Sequence, residues 1–587
     1  MMSNPNPRTE EAQRLEAARH SLAHLLAMAV LKKFPSAKLG IGPTIENGFY
    51  YDFKLPKAIS EEDLRGLEAT MRALVGEKLD FEGEKVTAAE AKRRFKDQPF
   101  KLDLIKEYAK EGRELTVYRS GNFTDLCKGG HITNTAAINP DAFKLTKIAG
   151  AYWRGDEKKP QLTRIYGVAF TTKKELDEHL AALAEAEKRD HRRLGEELGI
   201  FMLSEKVGAG FPLWLPNGEI VKHELQEYLR RKEVAAGYRY VSTGALASGA
   251  LYEASGHKKY FKDDMYRLLD IEGKELFVKP MNCPHHHVMY QKLVQSYRDL
   301  PLRLAEPGGI YRNERSGTLH GLMRVRGPIT QNDAHIYVAR NDLEKEFAGV
   351  LGLLKEIYRE LELKNYWFRL SLPDFAGKNK AKFGGDKPLW EWAADVIREA
   401  AKRSGIEVVE APGEAAFYGP KLDIQMQNVL GKEDTIATIQ VDVLVPKRMG
   451  LIYINKEGKE EHPIVIHRAI VGSYERFIAF LLEQTAGRLP FWLAPVQVAV
   501  LTVSDKATRY AEEVFRNLAA RGVRTALEAS ADTIGKKIRA SELQKIPYLL
   551  IVGEREAQSK TIAVRERGKG DLGSATLAEF LRRLPGH

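Results

Sequence analysis

Cysteine is nearly absent from this sequence, with 2 residues in 587. Two thiols cannot build a disulfide framework, which favours a reducing compartment and excludes small disulfide-rich secreted folds. Apolar runs are short as well, and none approaches the roughly 18 residues that a membrane-spanning helix requires. The first residues carry neither the basic start nor the apolar stretch of a secretion signal. We therefore expect a cytoplasmic protein with no membrane partner.

The charge is tilted towards basic residues, because 91 Lys and Arg against 80 Asp and Glu give a net charge of +11. Such a surplus favours a polyanionic partner such as nucleic acid. Hydrophobic residues make up 43% of the chain, enough for ordinary packed cores, so fibrous and disordered classes are excluded. The length fits about four domains at roughly 150 residues each.

Hydrophobic periodicity divides the chain into five regions. The second opens on a helix with apolar residues at Leu22, Leu25 and Val30, and charged amphipathic helices are predicted over 60–110. The third is one charged helix with a thin apolar stripe, and the fifth alternates strands and helices as a compact α/β module. The predicted regions are a polar tail (1–14), an N-terminal domain (15–172), a linker helix (173–197), a large central domain (198–490) and a C-terminal module (491–587).

Both cysteines are followed closely by histidine. Cys127 precedes His131 by four positions, and Cys283 precedes three histidines at 285–287. A lone cysteine is most often a small buried hydrophobe. A thiolate with nearby imidazoles also suits a metal site, although two cysteines are too few for a four-thiolate zinc ribbon.

A further pair of histidines strengthens the first of these patterns. His20 and His24 are four apart on the predicted helix and therefore share one face. With Cys127 and His131 they form a quartet of ligand-type side chains, whereas two histidines alone would ordinarily be a satisfied core pair. The quartet predicts either a metal site or a hydrolytic pocket with histidine bases, and both remain open from the residues alone.

Arginines recur in the central domain in a pattern that suits phosphate binding. Arg312 and Glu314 are two apart, as on one face of a strand, and Arg324 follows nearby. Arg476 comes just after Gly472 at the predicted start of a helix, where an arginine and a helix N-terminus can meet anionic oxygens. An Arg-x-Glu pair alone is usually a surface pair. No GxxxxGK[ST] loop is present, which disfavours a P-loop nucleotidase.

Taken together, these segments are specific enough to indicate a family. Arg312-x-Glu314 and the helix after Gly472 resemble motifs 2 and 3 of class II aminoacyl-tRNA synthetases. Eight strings, in the family's order and spread over essentially the whole chain, are similar to the threonyl-tRNA synthetase family. They are HSLAH (20–24), ENGFYYDF (46–53), DLCKGGH (125–131), KPMNCP (279–284), LHGLMRVRG (319–327), AFYGPK (416–421), IHRAIVGSYERF (466–477) and LAPVQV (493–498).

The resemblance implies an α+β multidomain fold. A class II catalytic domain with an antiparallel sheet would follow an N-terminal α+β editing domain and precede a C-terminal α/β anticodon-binding domain. The implied activity is ATP-dependent attachment of L-threonine to tRNA(Thr) through threonyl-adenylate, with hydrolysis of misacylated seryl-tRNA(Thr). The implied partners are tRNA(Thr), ATP, L-threonine and a second copy of the chain in a homodimer.

The resemblance also implies cofactors and site residues. One Zn²⁺ per subunit would sit in the catalytic domain, and Mg²⁺ would accompany ATP. We expect the editing pocket to work without a metal, although related editing domains with a similar quartet bind zinc. The residues are, for zinc, Cys283, His335 and His467; for catalysis, Arg312, His257, Gln440 and Tyr418; for ATP, Arg312, Glu314, Arg324 and Arg476; for threonine, Gln331, Asp333, Tyr418 and Gln440; for editing, His20, His24, Cys127, His131, Asp125, Lys101 and Tyr51; and for the anticodon, Arg539, Glu556 and Arg565.

Some features depart from the family. We expect the chain to lack the family's small ubiquitin-like N-terminal domain. Gly244, Thr435 and Thr533 stand where the family usually has a proline, a glutamine and a basic residue. Their effect on dimer contacts, the adenine pocket and tRNA contacts is left open.

Two other functions compete with this interpretation. Another class II synthetase, for serine or proline, would share the motifs but would not be expected to combine the zinc ligands with the N-terminal quartet. A regulator that binds RNA without catalysis is disfavoured because Arg312 and Arg476 are both present.

Overall fold

The computed structural model describes residues 10–156, 158–270, 272–377, 380–384, 386–428 and 433–585. The chain forms two compact units, one up to Ala184 and one from Glu185 onward. No helix in these ranges is long and apolar enough to cross a membrane. The first nine residues, part of the predicted polar tail, lie outside the described residues.

The first unit combines two small antiparallel sheets with helices. Its larger sheet has the strand order β1-β3-β8-β7, with β2 added to β3, and its smaller sheet has the order β4-β5-β6. The helices are α1 (Glu10–Lys33), α2 (Glu61–Gly76), α3 (Ala88–Arg94), α4 (Pro99–Lys110) and α5 (Lys173–Arg189), the last containing the boundary between the units. The strands are β1 (Lys38–Leu39), β2 (Thr44–Ile45), β3 (Gly48–Lys54), β4 (Glu82–Val86), β5 (Leu115–Ser120), β6 (Phe123–Leu126), β7 (Phe143–Tyr152) and β8 (Gln161–Ala169).

The predicted stripe of α1 is confirmed, because Leu22, Leu25 and Val30 are buried in the core of this unit. Two predictions are wrong here. The helix begins at Glu10, inside the predicted tail, and β4 interrupts the predicted helical stretch over 60–110. Four of the five residues of β4 are exposed, so this edge strand lacks the apolar alternation that would indicate it.

The predicted linker helix over 173–197 is two helices. Asp190 separates α5 from α6 (His191–Glu197), because its ψ of 121° is outside the helical region although its φ is −52°. Its side chain accepts a hydrogen bond from the Arg192 N–H, as an N-cap does. The chain therefore stops and restarts at a capping residue.

The larger part of the second unit is built around a nine-stranded sheet. Its order is β11-β15-β17-β24-β21-β20-β18-β19, with β16 added to β17, and only the outermost pairs, β11-β15 and β18-β19, are parallel. Besides α6, its helices are α7 (Pro216–Ala235), α8 (Gly249–Ala254), α9 (His257–Phe261), α10 (Cys283–Leu293), α11 (Leu343–Glu360), α12 (Lys387–Arg403), α13 (Val445–Arg448) and α14 (Tyr474–Thr485). Its strands are β9 (Phe201–Met202), β10 (Leu213–Trp214), β11 (Arg239–Tyr240), β12 (Leu246–Ser248), β13 (Arg267–Leu269), β14 (Glu275–Val278), β15 (Leu302–Glu306), β16 (Gly309–Ile310), β17 (Ile329–Val338), β18 (Tyr366–Leu372), β19 (Val408–Pro412), β20 (Lys421–Gln427), β21 (Glu433–Asp442), β22 (Tyr453–Ile454), β23 (Glu460–Glu461) and β24 (Ile464–Ser473).

The two faces of this sheet have different chemistry because side chains alternate along each strand. On β17, Ala334, Ile336 and Val338 join the large hydrophobic core that includes residues of α7, α11, α12 and α14. His335 lies on the opposite face, beside its cross-strand partner His467 of β24. The predicted antiparallel class II sheet is confirmed, and its second face is available for a polar site.

The C-terminal module has one mixed sheet, in the order β26-β25-β27-β28-β29, with helices on both faces. The first three strands are parallel and the last two pair antiparallel. Its helices are α15 (Thr508–Ala519), α16 (Ile534–Leu543), α17 (Glu554–Ser559) and α18 (Leu577–Arg583). Its strands are β25 (Val498–Thr502), β26 (Thr525–Glu528), β27 (Tyr548–Val552), β28 (Thr561–Glu566) and β29 (Gly570–Thr576), which confirms the predicted α/β module.

Candidate functional site

Three arginines line one pocket on the polar face of the nine-stranded sheet. Arg312, Arg324 and Arg476 surround it together with Glu314. Burial lowers the pKa of Arg476, whose Nε donates to the Met323 carbonyl at 3.1 Å. Three guanidinium groups facing one carboxylate leave a positively charged pocket, which suits a polyphosphate.

The segment that carries Arg312 and Glu314 is irregular, so the prediction that they lie on a strand is wrong. β16 ends just before it, at Ile310. The Arg312 N–H donates to the Arg326 carbonyl, and the Glu314 N–H donates to the Arg312 carbonyl, both at 2.8 Å. This tight turn brings both side chains to the pocket without strand alternation.

The junction that carries Arg476 is as predicted. β24 ends at Ser473, whose side chain caps α14 by accepting a hydrogen bond from the Arg476 N–H at 3.2 Å. Gly472 has a φ of +60°, in the left-handed region that favours glycine. The N-terminus of α14 and the Arg476 side chain therefore share one end of the strand.

Cys283, His335 and His467 converge beside this pocket. Their ligand atoms all lie within 4.8 Å of one another, and all three residues are buried. Cys283 is the first residue of α10, while the histidines are cross-strand neighbours on β17 and β24. Burial lowers the pKa of His335 well below its usual range, so its imidazole is neutral and has a lone pair for a metal. One thiol and two imidazoles fit a zinc ion with an open position.

Hydrogen bonds leave one nitrogen of each histidine free for this role. His467 Nε2 is 3.1 Å from Asp442 Oδ2, so Nδ1 is the nitrogen left for the cluster. His335 Nδ1 is 2.8 Å from His286 Nδ1, which leaves His335 Nε2. Partners of this kind orient metal ligands and fix their tautomers.

A buried chain of polar groups extends from His335. His286 Nε2 is 3.1 Å from Glu306 Oε2, and Lys279 Nζ donates to Glu306 Oε1 at 3.2 Å. Although burial raises it, hydrogen bonds from His286 and the Thr243 N–H hold the pKa of Glu306 at about 2. Sequence reasoning missed His286, Glu306 and Asp442, and its only available signal was the histidine run after Cys283.

The expected threonine residues surround the ligand cluster. Asp333 accepts a hydrogen bond from Asn282 Nδ2 at 3.0 Å, and burial raises the pKa of this carboxyl. The Tyr418 hydroxyl donates to Gln440 Oε1, and Gln440 is the cross-strand neighbour of His467. Gln331 lines the arginine pocket. The threonine and ATP residues thus form one continuous site.

His257, the expected catalytic histidine, also reaches this site. Its Nε2 is 3.7 Å from Cys283 Sγ, and its Nδ1 is 2.9 Å from Ser255 Oγ. Burial lowers the pKa of His257 to about 3, so the imidazole is neutral near pH 7.

The first unit brings the whole quartet together. Cys127 Sγ is 3.3 Å from both His20 Nε2 and His131 Nε2, and the four ligand atoms lie within 4.8 Å of one another. Burial lowers the pKa of His131 to about 2 and raises that of the Cys127 thiol to about 11. The imidazole of His131 is therefore neutral and the Cys127 thiol protonated near pH 7.

The remaining editing residues form a buried layer beneath the quartet. Asp125 accepts hydrogen bonds from the Tyr51 hydroxyl at 2.6 Å and pairs with Lys101 Nζ at 2.5 Å. His24 Nε2 is 3.7 Å from the same carboxylate. The pocket mouth is lined by residues that sequence reasoning did not single out: Pro43, Thr44, Lys128, Gly129 and Gly130.

The three expected anticodon residues are in the C-terminal module but in different settings. Arg539 is exposed on α16. Arg565 lies on β28, and its guanidinium is 3.9 Å from the carboxylate of Glu542, which is on α16 like Arg539. Glu556 accepts a hydrogen bond from the Gly553 N–H at 2.9 Å and so caps α17. Of the three, Arg539 lies on α16 and Arg565 has an ion pair with that helix, whereas Glu556 belongs to α17.

The structure shows where two of the residues that depart from the family pattern lie and what they contact. Thr435 lines the arginine pocket, and its hydroxyl accepts a hydrogen bond from Gln425 Nε2 at 2.7 Å. The amide of Gln425 therefore lies next to the position where the family usually has a glutamine. Thr533 occupies the N-cap position of α16 without a side-chain capping bond. For Gly244 nothing in the structure explains the departure.

Three family descriptions match parts of the chain. Residues 266–485 match the tRNA synthetase class II core domain (G, H, P, S and T), and residues 497–587 match an anticodon binding domain. Residues 115–166 match the threonyl and alanyl tRNA synthetase second additional domain.

Known proteins resemble the chain over most of its length. The threonine–tRNA ligase of Halalkalibacterium halodurans is 45% identical over 98% of this chain and 89% of its own. Threonine–tRNA ligase 1 of Bacillus subtilis is 44% identical over 97% and 88%. Among solved structures, the RNA binding domain of threonyl-tRNA synthetase from Cryptosporidium parvum has a TM-score of 0.63 at 38% identity, covering 67% of this chain and 97% of that one. A prolyl-tRNA synthetase from Giardia lamblia, at 17% identity and a TM-score of 0.54, shares the fold.

Identity at this level over nearly the full length, together with a class II core and the additional domain, identifies the chain as a member of the threonine–tRNA ligase family of class II aminoacyl-tRNA synthetases.

Proposed function

We propose that the chain attaches L-threonine to tRNA(Thr) by its family's two-step reaction, at the polar face of the nine-stranded sheet. The observation that carries this proposal is the ligand cluster Cys283, His335 and His467 lying beside a pocket lined by three arginines. The first can select an amino acid with a hydroxyl group, and the second can hold a nucleoside triphosphate.

In the first step the threonine carboxylate attacks the α-phosphorus of ATP, and pyrophosphate leaves. Arg312 binds the α-phosphate, Arg476 the γ-phosphate, and Arg324 adds positive charge near Glu314, which faces the adenine. Mg²⁺ accompanies ATP in this family. Catalysis consists mainly of positioning the two reactants and neutralising charge, which rigid guanidinium groups do without reorganisation.

Cys283, His335 and His467 would hold a zinc ion, which would supply a Lewis acid for recognition of the amino and hydroxyl groups of threonine. Asp333 and the Tyr418–Gln440 pair then surround the amino acid. An apolar pocket separates threonine from valine by only about a hundredfold, because the two are nearly the same shape. A site that must bind the hydroxyl excludes valine much more strongly.

In the second step the terminal ribose hydroxyl of tRNA attacks the adenylate carbonyl, and AMP leaves. His257 is the candidate base for this hydroxyl. Its neutral imidazole lies against Cys283, so it is within reach of the bound amino acid.

Serine keeps the hydroxyl and lacks one methyl group, and the loss of a methyl group gives a site only about 1–3 kcal/mol of discrimination between the two amino acids. We therefore assign hydrolysis of seryl-tRNA(Thr) to the first unit. His20, His24 and His131 supply neutral bases for a water molecule, with Cys127 beside them and the Lys101–Asp125–Tyr51 layer fixing their positions. The same four donors could hold a metal, so the choice between the two mechanisms rests on metal analysis of this unit.

The wider assignments are also proposals. The editing domain spans 15–172, the linker 173–197, the catalytic domain 198–490 and the anticodon-binding domain 491–587. Arg539, Glu556 and Arg565 lie near the anticodon bases, and the two arginines contact them by stacking or by hydrogen bonds to their edges. The active species is a homodimer in the cytoplasm, as the family leads us to expect.

The deciding experiment is amino-acid-dependent ATP–pyrophosphate exchange with threonine, serine and valine, on metal-replete wild-type protein and a Cys283→Ala variant. We expect strong exchange with threonine, weaker exchange with serine and none with valine, and loss of exchange in the variant. Folded, zinc-loaded protein that exchanges with none of the three amino acids would overturn the proposal.

A further inference from the structure

His287 lies one helical turn beyond Cys283, on the same face of α10. It is fully buried, and its Nδ1 is 2.9 Å from the Tyr337 hydroxyl. Its Nε2 is also buried and has no hydrogen-bond partner among the described residues. An orphaned polar atom in a protein interior is costly, so a group that binds it is to be expected.

The electronic state of His287 suits a metal ligand. Burial lowers its pKa well below the usual range, so the imidazole is neutral. In the tautomer whose Nδ1–H donates to the Tyr337 oxygen, Nε2 carries a lone pair. That nitrogen is not used by the proposed aminoacylation mechanism.

Two further donors lie beside it. Ligand atoms of His287, Asp442 and His467 all lie within 4.8 Å of one another, and the three residues are buried. His467 Nε2 and Asp442 Oδ2 are 3.1 Å apart. Two ligands of a tetrahedral zinc ion, each at roughly 2.0–2.1 Å, stand about 3.3 Å apart, so this pair already has the required spacing.

Asp442 is held in place for such a role. Its Oδ1 accepts hydrogen bonds from the N–H groups of Leu444 and Val445, at 3.0 and 2.9 Å. Its Oδ2 is therefore directed to the histidines. A carboxylate fixed by two backbone donors and facing two imidazoles is a prearranged cation site.

We propose that His287, Asp442 and His467 form a second site for a divalent cation of the zinc class. The inference rests on the proposed function only because His467 is shared, its Nδ1 serving the Cys283–His335 ion and its Nε2 the second. On binding, the ion replaces the Nε2 proton of His467, which passes to the buffer, and the ring then bridges the two ions. The donor set is one carboxylate and two imidazoles, with no thiolate.

The test is Co²⁺ and Zn²⁺ binding to the metal-stripped full-length protein, measured by equilibrium dialysis and by absorption. Every protein in the test carries His20→Ala, Cys127→Ala and His131→Ala, so that the quartet of the first unit neither binds an ion nor gives a thiolate band, and the protein with these three changes alone serves as the wild type. We expect two ions per chain in this wild type and one when His287→Val is added. The variant keeps the thiolate-to-cobalt charge-transfer band, because Cys283 is intact. A Cys283→Ala variant loses that band and retains one ion.

The matched control is His285→Asn, because His285 is a half-buried histidine of the same run, with both ring nitrogens inaccessible, that joins neither ligand cluster. It should still bind two ions. If His287→Val fails to fold, as judged by thermal melting, His287→Asn replaces it. One ion in the wild type, two in the His287 variant, or loss of an ion in the control would each overturn the inference. An unchanged charge-transfer band in Cys283→Ala would instead contradict the proposed catalytic zinc site.

Discussion

The residues suited to the two proposed reactions of this chain form two separate sets. In the second unit, the protein offers a thiol, two imidazoles and three guanidinium groups for synthesis of an ester bond. In the first, neutral imidazoles around Cys127 are suited to breaking one. The two sets belong to separate units, so substitutions can address each activity alone.

Replacing His20 by alanine should impair editing without affecting threonine activation. Removal of a general base typically lowers a rate by about 10²–10⁴-fold, so deacylation of seryl-tRNA(Thr) should fall by that factor while ATP–pyrophosphate exchange is unchanged. His179→Ala is the matched control, because this histidine of the same unit packs against Phe170 with the two rings tilted, outside the quartet. A His20 variant that clears seryl-tRNA(Thr) at the wild-type rate would rule out the assignment.

Local patterns indicated the quartet around Cys127 and the arginines of the pocket, whereas the candidate zinc ligands His335 and His467 were predictable only through the resemblance. His335 and His467 are 132 positions apart in the sequence and neighbours in space, and no local pattern indicates such a pairing. The polar groups behind them were missed for the same reason. Glu306 and Asp442 are buried carboxylates on strands whose hydrogen-bond partners come from distant segments.

At the scale of elements, strong periodicity was a reliable guide and polar segments were not. The stripe of α1 and the α/β alternation of the C-terminal module were predicted, because burial requires apolar residues at regular positions. Strand β4, with its exposed side chains, and the break at Asp190 were missed. A capping aspartate inside a charged helical sequence is difficult to distinguish from a solvated surface residue.

That break gives a stability prediction. Asp190→Ala removes the N-cap of α6 and should lower the free energy of unfolding by about 1 kcal/mol near pH 7, measured by urea denaturation. Although burial raises it, hydrogen bonds from Arg192 lower the pKa of Asp190 from 3.8 to about 2. The folded-state pKa is thus below the unfolded value, so the contribution is present above pH 4 and is lost as the pH falls towards 2.

Asp190→Asn is the control, since an amide retains the capping oxygen without the charge. It should cost less than the alanine change near pH 7 and should not show the acid-dependent loss. Equal destabilisation of both variants at every pH would show that the capping bond and the charge do not act as described.

At the scale of the whole molecule, a net charge of +11 sets the long-range interaction with tRNA. Phosphate contacts release counterions, so affinity should fall linearly with salt on a log–log plot, with a slope of about −0.7 to −0.9 per phosphate neutralised. Binding of tRNA(Thr), measured by fluorescence anisotropy at several salt concentrations, checks this. A slope near zero would contradict a phosphate-dominated interface.

A tRNA with an exchanged anticodon should show the same slope at lower affinity, because phosphate contacts carry no sequence information. If Arg539 reads a base, Arg539→Gln should reduce the difference in binding affinity between the two tRNAs and leave the salt slope unchanged. A changed salt slope with an unchanged difference in affinity would show that Arg539 contacts a phosphate instead.

The direct pairing of His335 with His467 restricts how this sequence can change over time. Deleting one residue from β24 would bring Ile466 or Arg468 into the position of the ligand histidine, and would move the buried Arg468, paired with Glu233 at 2.8 Å, to the opposite face. Single substitutions on β17 and β24 that spare the site residues can therefore be tolerated, whereas an insertion or deletion in either strand would destroy the site. Among related sequences that keep the activity, insertions and deletions should therefore be found in the connecting loops. The two strands should have the same number of residues in all of them.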